Sequence, residues 1–372
     1  MTNIEEWAQE TIEKIDQKMR VVSQRNFGQI PYSTENGSYE DFAKKDIYWW
    51  TNGFFAGSLW QLYQRSGYDK YREHAQIIEE LLDIAKNDFI GLHHDVGFMW
   101  LPTAVTNYRL TGNLISRKRG LQAASVLASR FNIRGNYIVA WNGNVPGWAI
   151  IDSLMNIPIL FWGSQEIEDP RLTHIGIEHA KTLEKYLIRE DGSAGHIANF
   201  NPETGEFVNL LRGQGYSSDS AWSRGQAWGI YGFALSAKYT KETQFLNTAK
   251  KIANYFIGNV SQTEGIPLID FRGPVDTTKV DTSAGACAVC GLLEIASQLE
   301  DMESQYYRNA AYSILRALVE KYVDWNHNRD GFLYHSSHSY HQEDETNVNF
   351  VYGDYFLIEA LLRISNDSVE VW

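Results

Sequence analysis

Two aspartates in this chain stand where acid chemistry could be done. Asp95 closes the polar start of HHDVGFMW, residues 93–100, and Asp152 interrupts the apolar run WAIIDSLMN. A carboxyl group among apolar side chains disfavours its charged form and keeps its proton, whereas one in a polar setting stays ionised. Two carboxylates in one cleft therefore divide into an acid and an anion, the pair that glycoside chemistry uses. The less polar flanks of Asp152 make it the acid. Helix dipoles would favour both anions at helix starts, so burial of Asp152 has to outweigh that effect. A third cluster, RGQGYSSDSAWSRGQAWG, adds Arg212, Gln214, Trp222, Arg224 and Trp228. Arg224 lies between two tryptophans in an apolar helix start. An unpaired guanidinium there is costly, so it should meet a carboxylate from substrate or protein.

Each motif also has a purely structural reading. Asp95, Asp152 and Asp281 all fit helix N-caps. The adjacent His93 and His94 do not easily aim at one ion from regular backbone. No His-x-x-x-His or further Cys/His set accompanies them, so no metal is expected. The aromatic content of 13%, with 12 Trp and 21 Tyr, suits a large core as well as a sugar cleft, where rings stack on pyranose faces.

The elements that must position these residues form a repeat without sequence identity. Six segments share a polar or aromatic start followed by a helix rich in small and aromatic residues. They begin at Trp50, Asp95, Asp152, Trp222, Asp281 and Gly353. Between them lie stretches such as YREHAQIIEELLDIAK and FLNTAKKIANYFI, with apolar residues at i, i+3, i+4 and i+7. The first kind is apolar nearly all round and must be buried; the second has one apolar stripe and a charged face. Six inner helices ringed by outer ones predict an all-α fold, an (α/α)6 barrel, as one domain over residues 1–372. Parallel inner helices would bring Trp50, Asp95, Asp152, Trp222 and Arg224 to one end. Pro158 should kink the third inner helix.

Bulk properties exclude several classes. With 33 basic and 46 acidic residues the net charge is −13, and no Lys/Arg block offers a nucleic-acid footprint. No uncharged apolar run of membrane-spanning length occurs. The first residues read as a charged amphipathic helix rather than a secretory signal. Cys287 and Cys290 sit in a helical small-residue stretch and read as buried packing residues. The expectation is a reduced, cytoplasmic protein that binds neither nucleic acid nor membrane. A locally cationic pocket on so acidic a chain would suit an acidic sugar.

Taken together, WTNGFFAG, HHDVGF, IIDSLMNIP, WSRGQAWGIYGFAL, GACAVCGLLEIASQL and GDYFLIEALLR resemble the unsaturated glucuronyl hydrolases, glycoside hydrolase family 88, over nearly the whole length. The resemblance implies an (α/α)6 barrel that removes a 4,5-unsaturated uronic acid from the non-reducing end of lyase-generated oligosaccharides, without metal or organic cofactor. It implies Asp152 as proton donor to C4 and then base toward water, with Asp95 positioning or tuning it. It also implies a binding set of Trp50, His94, Trp141, His196, Gln214, Trp222, Arg224 and Trp228, in which Arg224 meets the uronate. Other readings are the sister activity on unsaturated rhamnogalacturonan disaccharides, a hydrolase or epimerase of saturated sugars, and a non-catalytic sugar-binding protein.

This chain departs from the pattern in two places. Members that accept sulfated fragments carry Ser-x-x-Ser-x-Lys near the C-terminus, where this chain has Ser339, Gln342 and Asp344. Arg212 stands where a small polar residue is expected and offers another anion contact. An aspartate in place of that lysine should repel sulfate. Sulfated disaccharides are therefore expected to turn over more slowly than matched unsulfated ones; equal kcat/KM on such pairs would refute this.

Overall fold

The computed structural model describes residues 4–372. Outer α1 (Ile4–Arg25) is followed by inner α2 (Phe54–Ser66), outer α3 (Asp69–Leu81) and the short α4 (Asp83–Asp88). The second inner helix is built in pieces. These are α5 (Val96–Trp100), a π segment at Leu101–Val105 that carries Pro102, and α6 (Thr106–Thr111). Outer α7 (Leu114–Ser129), inner α8 (Pro158–Ile167), outer α9 (Arg171–Leu187) and inner α10 (Ser223–Thr240) follow. Outer α11 (Thr243–Val260), inner α12 (Thr282–Ser297), outer α13 (Asp301–Tyr322) and inner α14 (Val351–Ile364) complete the ring. The architecture is an (α/α)6 barrel.

The two helix types read from the sequence differ in burial as their patterns require. α10 is buried at every position from Ser223 to Ala237. α11 buries only Phe245, Thr248, Ala249, Ile252, Ala253, Phe256 and Val260, one stripe at helical spacing. Small residues set how closely the inner helices approach. A Cβ at Gly291 of α12 would stand 2.8 Å from Ile230 and 3.0 Å from the Tyr231 backbone of α10, so only glycine permits this packing.

Two features differ from expectation. Pro158 does not kink a helix that begins at Asp152. Residues Ile151–Met155 form a separate 3-10 turn, and Pro158 is the first residue of α8, where its missing N–H costs no hydrogen bond. The fold is also not purely helical. A three-stranded antiparallel sheet of Trp148–Ile150, Ile197–Phe200 and Phe207–Leu211, with Ile197–Phe200 in the centre, stands beside the inner-helix starts. Its hairpin turn NPETGE, residues 201–206, carries Pro and Gly punctuation. The strands are short, and Trp148–Ile150 pairs with a strand far along the chain, so periodicity alone does not expose them.

The apolar core is continuous through the barrel. Trp372, 1% exposed, is part of it. Its indole N–H donates to Glu359 Oε2 at 2.9 Å, and its ring stacks on Phe356 at 5.9 Å. Phe98 touches Trp372 on one side (5.9 Å) and Trp50 on the other (5.3 Å). The chain's last residue thus supports an aromatic layer at the base of the inner-helix starts. Trp372→Ala is expected to remove about 3–5 kcal/mol of stability, seen as a lower midpoint in denaturant unfolding with the m-value unchanged.

Candidate active site

The starts of the inner helices enclose a cavity of about 670 Å³, a size typical of small-ligand sites. Its wall includes Trp50, Asp95, Trp141, Asp152, His196, Arg212, Gln214, Trp222 and Arg224 from the sequence reading. Trp49, His93, Trp148, Ile150, Ile197, Leu211, Gly213 and His338 complete the lining.

The sheet explains one side of this wall. Ile150 pairs with Ile197, and Ile197 with Leu211, so one cross-strand row places three apolar lining residues side by side. The ladder extends a step beyond the strands, with Ile151 N–H donating to His196 O at 3.1 Å. Asp152, His196 and Arg212 leave the strands from the ends of that row, which gathers them from distant sequence positions.

The three candidate caps separate cleanly. Asp281 caps α12, accepting from Ala284 N–H. Asp95 stands at the N-cap of α5 without a side-chain cap bond, and Asp152 lies inside its 3-10 turn rather than at the cap, so neither carboxylate is spent on capping. Asp95 is 6% exposed, and His93 Nδ1 and His94 Nε2 each lie 3.2 Å from its Oδ2 as charge contacts rather than in-line hydrogen bonds. Burial pushes this carboxyl up, but His94 and His93 together outweigh it and hold Asp95 well below the usual carboxylate range. The expectation that adjacent histidines cannot converge needs correction. The three ligand-type atoms lie within 4.8 Å of one another, because Asp95 ends the loop on which both rings turn inward.

Asp152 is arranged differently. Its side chain is 14% exposed, and its Oδ2 lies 3.3 Å from His196 Nε2 with no hydrogen bond among the described residues. His196 Nδ1 accepts from Gln214 N–H at 2.9 Å. That bond uses the Nδ1 lone pair, so the ring proton sits on Nε2, facing Asp152. The approach requires Gly213, whose φ is +56° and whose added Cβ would stand 1.9 Å from His196 Nδ1.

A residue the sequence reading passed over ties the Asp95 carboxylate to the turn that bears Asp152. Buried Asn156 donates from Nδ2 to Asp95 Oδ1 (3.2 Å) and to the Asp152 carbonyl (3.3 Å). Its Oδ1 accepts from Phe98 N–H at 2.7 Å. Gly97 makes room, since a Cβ there would meet the Asn156 backbone at 2.5 Å. A polar residue inside IIDSLMNIP was the available signal.

Four expectations about the binding set change. His94 is fully buried behind the wall and touches Asp95; His93 lines the cavity in its place. Trp228 is 1% exposed and packs behind Trp50, edge to face at 6.4 Å, against Phe98 and Phe356. It is core because helix spacing turns it away from Trp222. Ser339 and Asp344 are not among the lining residues, and Asp344 is exposed. The loop instead presents His338, whose imidazole burial, with nearby Arg224, pushes down to about 4. Arg224 lines the cavity with its charge already matched. It donates to Asp281 (2.6 Å) and to the carbonyls of Ser337 (2.6 Å) and His338 (2.7 Å), and Trp222 covers one guanidinium face at 4.5 Å.

Fold and site together define a carbohydrate-active enzyme of the (α/α)6 class, with an aromatic cleft around two carboxylates in unlike surroundings. The chain belongs to glycoside hydrolase family 88; the family model, Glycosyl Hydrolase Family 88, matches residues 22–362. It is 36% identical over 334 residues to an unsaturated chondroitin disaccharide hydrolase of Streptococcus pyogenes serotype M1, covering 87% of this chain and 83% of that one. It is likewise 36% identical over 342 residues to an unsaturated glucuronyl hydrolase of Bacillus sp. strain GL1, covering 87% and 88%. The solved structure of an unsaturated glucuronyl hydrolase responsible for glycosaminoglycan degradation, from Bacillus sp. GL1, superposes with a TM-score of 0.89 at 33% identity over 96% of both chains.

Asn156→Ala breaks the bridge between the two carboxylate-bearing turns. On an unsaturated glucuronyl disaccharide, kcat is expected to fall about 10- to 100-fold with a smaller change in KM, as misplacement of a reacting group produces.

Proposed function

We propose that this protein is an unsaturated glucuronyl hydrolase that removes a 4,5-unsaturated glucuronic acid from the non-reducing end of glycosaminoglycan-type oligosaccharides released by lyases. The observation that carries this reading is the pairing of a histidine-flanked, anionic Asp95 with Asp152, which no capping bond occupies, at the wall of one aromatic cavity.

Asp152 delivers its proton to C4 of the C4=C5 enol ether. The electron pair of the double bond forms the new C–H bond, leaving an oxocarbenium ion shared between C5 and the ring oxygen. Asp95, ionised throughout the working pH range, supplies fixed negative potential opposite that developing charge. The deprotonated Asp152 then takes a proton from water as its oxygen bonds to C5. The hemiketal opens at the ring C–O bond to a C5 ketone, and the C1 hemiacetal expels the aglycone as an alcohol. One water is consumed and Asp152 is regenerated.

Asp152 lies at the cavity wall in a five-residue 3-10 turn, ahead of α8, which starts at Pro158. Trp50, Trp141 and Trp222 offer apolar faces for the sugar ring, and His196 places an N–H beside the reacting acid.

No described helix is long and apolar enough to cross a membrane. A cytoplasmic setting belongs to the same proposal. It is supported by Cys287 and Cys290, which remain free thiols pushed up by burial.

On unsaturated disaccharides from chondroitin, hyaluronan or heparin, the wild-type protein is expected to abolish alkene absorbance with release of the aglycone sugar. Asp152→Asn should slow this by about 10²–10⁴-fold, the contribution of a positioned general acid, while calorimetry still detects binding. Binding without loss of absorbance in the wild type would make the protein a lectin. Saturated products without aglycone release would exclude glycoside cleavage.

A further inference from the structure

We propose that Arg212 is the receptor for the carboxylate of the unsaturated uronate, a specificity contact added to the site where the family resemblance leads one to expect a small polar residue. This inference rests on the functional reading above.

The substrate carries an anion into a cavity that already holds the Asp95 anion, so a matching cation is required. Arg224, the residue that resemblance assigns to this task, already has its charge matched inside the protein. It is 1% exposed and its charge is met by Asp281 at 2.6 Å. Its other bonds hold the carbonyls of Ser337 and His338, and rings of Trp222 and Tyr352 lie within 4.5 and 5.2 Å of the guanidinium carbon. Arg224 is thereby a positioning residue that fixes the loop bearing His338. His338 supplies no charge at neutral pH, because burial holds its imidazole down at about 4.

Arg212 contrasts with it on every count. It lines the same cavity, is exposed, and its guanidinium has no hydrogen bond or ion pair among the described residues. Its position is fixed closely. The next residue, Gly213, is pressed so tightly on His196 that a Cβ would stand 1.9 Å from Nδ1, and the far nitrogen of that ring lies 3.3 Å from Asp152 Oδ2. The carbon that takes the proton from Asp152 is C4, and the carboxylate is borne by its neighbour C5. An arginine whose backbone abuts the opposite edge of His196 has that carboxylate within side-chain reach. A guanidinium meets a carboxylate through two parallel N–H donors, a geometry that also orients C4 toward the acid.

The test compares kcat/KM on an unsaturated glucuronyl disaccharide and on its uronate methyl ester, for the wild type, Arg212→Gln and Arg212→Lys. Intrinsic reactivity of the two substrates cancels when acid-to-ester ratios are compared between enzymes. The wild type is expected to prefer the acid by about 10- to 100-fold, the worth of a charge-assisted hydrogen bond. In Arg212→Gln that ratio should fall about 10- to 100-fold below the wild-type value, mainly through a raised KM for the acid. Arg212→Lys should retain part of the preference, having the charge without the fork. An acid-to-ester ratio unchanged in Arg212→Gln overturns the assignment. So does an altered ratio between sulfated and unsulfated aglycones with the acid-to-ester ratio intact, because Arg212 would then read the aglycone. If the wild type consumes neither substrate, the functional reading itself fails, a result distinguishable from failure of the arginine assignment alone.

Discussion

Two carboxylates held at the wall of one cavity in different surroundings are the constraint on which this site depends. The protein treats them unequally. Asp95 is buried against two imidazoles and an amide, so its charge is stabilised where a hydration shell cannot be. Asp152 has a single imidazole N–H beside it and no capping bond. Asn156 bridges the turn that carries one carboxylate to the other carboxylate itself, and its own carbonyl is held by Phe98 N–H of α5.

The barrel makes this arrangement possible by bringing six helix starts together, and it leaves those starts irregular where chemistry takes place. The second inner helix runs through a π segment and the third is preceded by a 3-10 turn. These are the two that carry Asp95 and Asp152. The regular inner helices α10 and α12 meet instead through a buried ion pair, Arg224 with Asp281. Breaking such a pair strands a charge in the interior, so it fixes that part of the wall. Departure from helical geometry thus coincides with the side of the cavity that bears Asp95 and Asp152, and the internal salt bridge with the side that bears Arg224.

The aromatic content divides along the same line. Trp50, Trp141, Trp148 and Trp222 reach the cavity, whereas Trp60, Trp100, Trp228 and Trp372 are fully buried. Composition alone left core and sugar cleft equally open, and the molecule uses tryptophan for both. The buried ring of Trp372 reaches the cavity only through Phe98 and Trp50, so the core supports the wall that the sugar would contact.

The sequence by itself determined the inner and outer helices, because burial all round and burial on one stripe leave different periodic marks. It also determined the family, through motifs such as WSRGQAWGIYGFAL, and the two aspartates as candidates. The tertiary structure decided which polar residues face the cavity. Asp281, Asp95 and Asp152 look alike as helix starts, yet only Asp281 makes a side-chain cap bond, since the side chain's partner lies elsewhere in the chain. Arg224 meets Asp281, 57 positions away, and His196 meets Gln214 across a hairpin. His93 rather than His94 lines the wall, and Trp228 turns into the core because helix spacing carries it away from Trp222. Strands of three to five residues carry too little local pattern to be read. These outcomes depend on contacts between distant segments, and no local propensity encodes them.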